Sequence, residues 1–280
     1  MQLIEQQPTK PRLHNWEAVH QLERERERSS QLVAGIGAVG CAVGAIASPG
    51  FLLLAAAYRP LIRVTKLSRI IEVMRLLLEE FGDQIQIYPC IEVPGAEPLD
   101  LLVIAPEQAY LLISIRSKSK KEDSKVIFNE ANETLYTKHK RRGLRKWLPC
   151  PLVELSDYHA WLNKNRREFD ISANAIRRYP VIKALVLWKP MEIDRHGEHL
   201  YSKMGETTTL SLSRKGTALV IEQDEVLSFI KGCLTQPQAK KQPTTESKEF
   251  KESQKPTPAR VLPTPSGQKP KKKIPANQSN

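Results

Sequence analysis

The sequence predicts an α/β domain that is preceded by a membrane helix or helical hairpin and followed by a disordered tail. Three observations carry this. Residues Leu32 to Tyr58 contain no charge, which exceeds the roughly 20 residues needed to cross a hydrocarbon core. Residues 63–234 then alternate between helical and strand periodicities, as an α/β domain requires. After Leu234 the chain turns to Pro, Lys, Gln, Ser and Thr, too poor in large apolar groups for burial to offset the entropy of ordering.

Residues 1–31 form a polar approach segment, in which Asn15 is placed to cap a short helix through Trp16. Its Glu/Arg run from Glu23 to Arg28 sets opposite charges three residues apart. The hydrophobic segment, 32–62, is rich in Ala and Gly, and Gly37, Gly40 and Gly44 offer a small-residue face for close helix packing. Ser48-Pro49-Gly50 interrupts it, so the segment is either a kinked span or a hairpin. Arg24, Arg26 and Arg28 precede it, and Arg59, Arg63, Lys66 and Arg69 follow. Positive charge on both sides separates the two ends only weakly and fits a hairpin with both ends cytoplasmic, while one crossing or two stays open. Gly35-Ile36-Gly37-Ala38-Val39-Gly40 fits a dinucleotide fingerprint, but no strand signal precedes it and the next acidic residue is Glu72.

In the domain, Val64, Leu67, Ile70, Ile71, Met74, Leu77 and Leu78 recur at helical spacing from Arg63 to Phe81, and Gly82 supplies a stop. Ile85 to Val93 alternates as a half-buried strand. Leu99–Ala105 is a buried strand, Pro106–Ala109 a turn and Tyr110–Arg116 a third strand. Leu152–Phe169 reads as a helix, Val181–Trp188 as a buried strand and Asp194–Gly197 as a turn. Thr208–Leu212 and Ala218–Ile221 are short strands, and Asp224–Leu234 is a closing helix. Residues 117–147 show charge in place of periodicity.

The formal charge of +12 is concentrated in two blocks. Residues 116–147 hold 11 basic and 4 acidic groups, and residues 235–280 hold 10 and 3. Blocks of this kind attract nucleic acid or anionic lipid alike. The predicted contacts are Lys118, Lys120, Lys121, Lys138, Lys140, Arg141, Arg142, Arg145 and Lys146, with Trp147 supplying a ring for base stacking or for the headgroup layer. Lys269 to Lys273 is the corresponding contact in the tail, which carries Pro-Thr-Pro repeats but no PxxP docking motif. Cys41, Cys90, Cys150 and Cys233 show neither a CxxC pair nor a disulfide framework, so they are expected to be reduced thiols in a domain facing the cytoplasm.

Pro98-Leu99-Asp100 opens one strand, a turn follows, and the next strand ends Ser114-Ile115-Arg116. Together with the order helix, three strands, helix, strand, this resembles the nuclease-related domain (NERD) family within the restriction-endonuclease-like folds, over residues 63–234. The resemblance implies a central mixed sheet flanked by helices, and a site in which carboxylates hold a divalent cation such as Mg²⁺ while a lysine positions the nucleophile. Asp100 matches the first carboxylate and Glu72 matches a helical glutamate. Ser114 and Arg116 stand where the family's strand-ending pattern has Glu and Lys. Serine brings no negative charge, and arginine stays protonated, so neither can replace its counterpart. Glu72, Asp100, Ser114 and Arg116 are therefore expected to be the remnant of a site without catalysis, metal or cofactor. Glu154, on the next helix, is a candidate to fill the missing carboxylate.

Asp194-Arg195-His196-Gly197-Glu198-His199 gathers imidazoles and carboxylates but reads as a polar turn, without a further fixed ligand for a metal. The expected function is a membrane-anchored, catalytically inactive nuclease-like domain that binds a polyanion or a protein partner at the cytoplasmic face. The alternatives are an active metal-dependent nuclease with a rearranged site, and a membrane scaffold that contacts protein alone. The sequence does not fix the oligomeric state.

Overall fold

The computed structural model describes residues 12–43, 50–117, 124–139, 143–214 and 216–235. Side chains from 37 to 57 are outside that description, as are Lys118, Lys120, Lys121, Lys140, Arg141, Arg142, the Gly44-to-Pro49 interruption and the Lys/Pro-rich tail.

Two long helices come first, α1 (Asn15–Val43) and α2 (Gly50–Phe81). They pack antiparallel, with Glu25 facing Arg63 and Glu23 facing Arg75. The Glu/Arg run thus uses two of its acids between helices, although its spacing suits pairs within one. Asn15 also departs from its expected capping role. Its side chain takes a hydrogen bond from Ile87 N–H at 2.8 Å and donates one to the Ile85 carbonyl at 3.0 Å, fastening the start of α1 to the first strand. The predicted boundary near residue 62 is absent, since α2 runs unbroken through Pro60 into the Arg63–Phe81 amphipathic stretch. Among the described residues, no helix is long and apolar enough to cross a membrane.

The remaining elements build a mixed α/β domain. A seven-stranded sheet has the order β1-β2-β3-β7-β11-β10-β9. Its strands are β1 (Gln86–Ile91), β2 (Leu99–Ala105), β3 (Ala109–Arg116), β7 (Val181–Leu187), β9 (Tyr201–Met204), β10 (Thr207–Ser213) and β11 (Thr217–Glu222). The strands β1, β2 and β3 form an antiparallel meander, and β7 then runs parallel to both β3 and β11. A second, four-stranded sheet, β6-β5-β4-β8, comprises β4 (Ser124–Asn129), β5 (Thr134–His139), β6 (Gly143–Lys146) and β8 (Met191–Ile193).

Alternation across the large sheet divides the core. Leu101, Val103, Leu111 and Ile113 face α1, α2 and the closing helix α5 (Val226–Thr235). Leu102, Ile104, Leu112 and Leu185 face α3 (Pro151–Asn165) and the small sheet. A short helix, α4 (Ala173–Arg178), is capped by Ser172 and leads into β7.

The small sheet is the main departure from the sequence pattern, since residues 117–147 show charge in place of periodicity, yet β4, β5 and β6 lie within them. Its buried residues are few but well spaced: Val126, Phe128 and Leu135 pack into the second core, joined by Trp147. Elsewhere in the domain, α5 meets the β9–β10 turn at a glycine pair. A Cβ on Gly205 would stand 2.7 Å from Gly232 Cα, and one on Gly232 would collide with the Met204 carbonyl. We expect Gly232→Ala to destabilise the domain by about 1–3 kcal/mol through overpacking, measured by urea unfolding. An unchanged midpoint would show that α5 can shift to accept the methyl group.

Candidate functional site

The end of β2–β3 carries a buried ionic cluster where α2, α3 and the β1–β2 connection converge. Asp100 is fully buried at the start of β2. Its Oδ2 accepts the Ile115 backbone N–H at 2.6 Å and Arg116 Nη1 at 2.7 Å. Lys66 Nζ, from α2, stands 2.7 Å from Oδ1, close enough for the charges to attract but without the alignment of a hydrogen bond. Arg116 extends its other amino group to Glu154 Oε2 at 3.2 Å and to Tyr158 Oη at 3.4 Å, both on α3, with Glu97 Oε2 at 3.3 Å. Tyr158 in turn donates to the Glu97 carbonyl at 2.8 Å.

The protonation states follow from these contacts. Burial alone would lower the Arg116 pKa, but Asp100, Tyr158, Glu97 and Glu154 together carry it above the ordinary arginine range. Burial raises the Glu154 carboxyl, against the pull of Arg116. Burial likewise raises the Tyr158 phenol, so it stays a protonated donor. Arg69, one helical turn beyond Lys66, has its pKa lowered by burial, partly countered by Asp100. Its guanidinium lies 5.8 Å from the centre of the Trp188 ring.

The predicted remnant residues thus separate into two groups. Asp100, Ser114 and Arg116 converge, and Glu154 joins them through Arg116. Glu72 does not: it is exposed and accepts a hydrogen bond from Gln223 at 3.2 Å. Ser114 is fully buried and its hydroxyl has no hydrogen-bond partner among the described residues. Lys66, Glu97 and Tyr158 belong to the cluster without having been singled out for it. Tyr158 carried a signal, since a tyrosine at a buried helical position needs a partner for its hydroxyl. Lys66, next to the apolar stripe of α2, read only as a flanking cation.

This donor set does not fit a divalent cation. Oδ2 of Asp100 is committed to an N–H and a guanidinium, Oδ1 faces an ammonium, and Glu154 faces the same guanidinium. A second positive centre there would meet two fixed ones. Among the described residues no group of three or more His, Cys, Asp or Glu could hold a metal ion. The Asp194–His199 segment is used otherwise. Asp194 lies 3.8 Å from both Lys125 and Lys138, His196 Nε2 accepts the Phe128 N–H at 2.8 Å, and His199 pairs with Glu130 at 2.9 Å.

Of the predicted basic contacts, Lys138, Arg145 and Lys146 are exposed on β5 and β6. Trp147 is instead 2% exposed and packs in the second core, so its ring is not available for stacking on a ligand. Cys90, Cys150 and Cys233 are free thiols.

Comparison with protein-family models, with curated proteins and with solved structures finds no match to this chain. The architecture is therefore described as a mixed α/β fold with helices flanking its sheets, without assignment to a narrower class.

Two measurements test the cluster. Asp100→Asn leaves Arg116 without its nearest counter-charge and is expected to cost about 3–5 kcal/mol in chemical denaturation. Ser114→Ala removes an unpartnered buried hydroxyl and is expected to be neutral or stabilising by up to about 1 kcal/mol. A large loss for the serine variant would mean that the hydroxyl is bonded after all. Titration provides a separate check. Burial, then Asp100, pushes the Cys90 thiol up to about 11 from an ordinary 9.0. The unfolded chain therefore releases this proton first, and stability falls as pH rises from about 9 to about 11. Cys90→Ser should flatten that part of the pH–stability curve.

Proposed function

We propose that this protein is a membrane-attached α/β domain that does not hydrolyse phosphodiesters and that binds a polyanion at the membrane face. The first half of the reading rests on Asp100. In a nuclease-related site this carboxylate would present open oxygens to a metal, which would then activate water and stabilise the charge on phosphorus. Here a lysine, an arginine and a backbone N–H occupy it. The order α2, antiparallel β1-β2-β3, α3 and parallel β7 supports descent from a nuclease-like core, with the cationic groups retained and the metal-binding set replaced.

Membrane attachment is supported by the lengths of the uncharged helical stretches. The α1 portion from Leu32 to Val43 spans about 18 Å and the α2 portion from Gly50 to Tyr58 about 14 Å, at 1.5 Å per residue. Each is too short for a hydrocarbon core of about 30 Å, but both suit one leaflet. On this reading the two helices enter and leave on the same side. Between the membrane and the domain, no residue from Glu23 to Gln31 or from Arg59 to Lys66 is buried. The exposed cations Lys138, Arg145 and Lys146 support polyanion binding.

Incubating the full chain with plasmid DNA or RNA and Mg²⁺ or Mn²⁺ tests the chemistry. No divalent-dependent cleavage is expected, and cleavage that Asp100→Ala abolished would overturn the reading. Binding to nucleic acid and to anionic vesicles should weaken as salt rises. Binding that ignores salt, or is absent for both, would favour a scaffold that contacts protein alone.

A further inference from the structure

A groove of about 580 Å³ lies between α2 and the end of β3, above the buried cluster. Its wall on α2 changes character along one helical stripe. Tyr58, Leu61 and Ile62 are exposed and apolar, at 59%, 46% and 49% of full exposure. One and two turns further, Lys66 and Arg69 line the same groove, and Arg116 closes its inner end. Large apolar side chains left in water at consecutive positions on one helix face need a cover. Their helix continues without a break into the charge-free stretch that ends at Tyr58. The apolar end of the groove therefore lies on the same helix as the charge-free stretch, directly after it, and the cationic end lies toward the domain.

The charges at that end are not equivalent. Asp100, buried next to the groove, engages both Lys66 and Arg116, and Glu97, whose half-exposed carboxylate lines the groove, is held by Arg116 at 3.3 Å. Arg69 makes no ion pair among the described residues: Asp100 acts on it only beyond ion-pair distance, its guanidinium lies over the Trp188 ring, and burial lowers its pKa. A partly desolvated guanidinium without a fixed carboxylate is suited to a phosphate, which accepts its planar pair of N–H donors. A groove with a phosphate-compatible cation at one end and an apolar rim at the other matches an anionic phospholipid. A nucleic acid would leave Leu61 and Ile62 uncovered.

We propose that this groove is a binding site for the headgroup of a single anionic phospholipid, with Arg69 on the phosphate and Tyr58, Leu61 and Ile62 against the glycerol and upper acyl chain. The site rests on the membrane reading above, and deepens it from diffuse attraction to one lipid held at a defined place.

The test uses the full chain and two probes. Flotation with phosphatidylcholine vesicles, and with vesicles in which about a third of the lipid is phosphatidylserine, gives a ratio of affinities. Titration with dihexanoyl phosphatidylserine below its micelle concentration asks whether one lipid binds without a bilayer, and glycerol 3-phosphate serves as the free-phosphate arm. The wild type is expected to prefer the serine vesicles and to bind the short-chain lipid with saturable 1:1 stoichiometry, more tightly than glycerol 3-phosphate. Arg69→Gln should lower the vesicle ratio about fivefold and abolish the 1:1 binding, and Arg69→Lys should retain part of both. Thermal unfolding checks that each variant folds. If Arg69→Gln does not fold, the wild-type stoichiometry and the Arg69→Lys variant still decide.

Salt-sensitive vesicle binding without 1:1 binding of the short-chain lipid overturns the site and leaves membrane attachment standing, as does equal affinity for both vesicle types. Glycerol 3-phosphate binding as tightly as the lipid overturns the lipid assignment in favour of a free phosphate. Single-stranded oligonucleotide that displaces the short-chain lipid more tightly than lipid itself binds reassigns the groove to nucleic acid. Absence of binding to either vesicle overturns the membrane reading and this site together.

Discussion

Burial of the Arg116 guanidinium is the constraint around which the end of the domain is arranged. A charge removed from water is tolerated only where opposite charges and hydrogen bonds replace its hydration, and no single element here supplies enough of them. The backbone of β3 fixes where Arg116 leaves the sheet, and Asp100 on β2 meets one of its amino groups. Glu154 and Tyr158 from α3 meet the other. Lys66 then adds α2 to the assembly through the second oxygen of Asp100. Four elements that apolar packing alone could join in several offsets are thereby held at one. Its net contribution to stability is small beside its gross Coulomb attraction, which largely goes to offset the desolvation of its members.

The same arrangement explains why the carboxylate reads differently in one dimension and in three. In the sequence Asp100 is an acid opening an apolar strand, which suits a metal ligand. What settles its chemistry is the identity of its neighbours, and two of these lie far off in the chain or were assigned other duties. Arg116 was visible as a replacement, and its inability to lose a proton followed from its side chain alone. That it would turn toward Asp100 and bridge to α3 depended on the packing angle of α3 against the sheet, which local pattern does not encode.

The large sheet and its helices were largely legible for a simple reason. Leu99–Ala105, Tyr110–Arg116 and Val181–Leu187 are almost continuous apolar runs, broken by Asp100, by Ser114 and Arg116, and by Lys183, and few arrangements other than central strands bury both faces of such a run. The small sheet was illegible because it buries one face only. Its exposed face carries Lys125, Lys138 and Lys146, and this high charge masks the alternation of Val126, Phe128 and Leu135. Trp147 was misleading in the same way, since a ring next to a basic run looks superficial until the strand beneath it is placed. Asn15 shows a third kind of limit: the residue type suits a helix start, but its side chain is drawn to the unpaired backbone of the edge strand β1.

The position of Lys66 has a mechanical meaning. Leu67 is the first buried residue among the described side chains of α2, and from Tyr58 to Lys66 none is buried, so Lys66 marks the edge of the core along this helix. The two helices brace one another through Glu25 and Arg63 just outside that point. A displacement of this part of α2 would be felt first not by the apolar core, which resists deformation, but by the ion contact between Lys66 and Asp100, whose strength changes with separation and water access. Tilting the helix away from the sheet would lengthen that contact, hydrate the carboxylate and loosen its hold on Arg116.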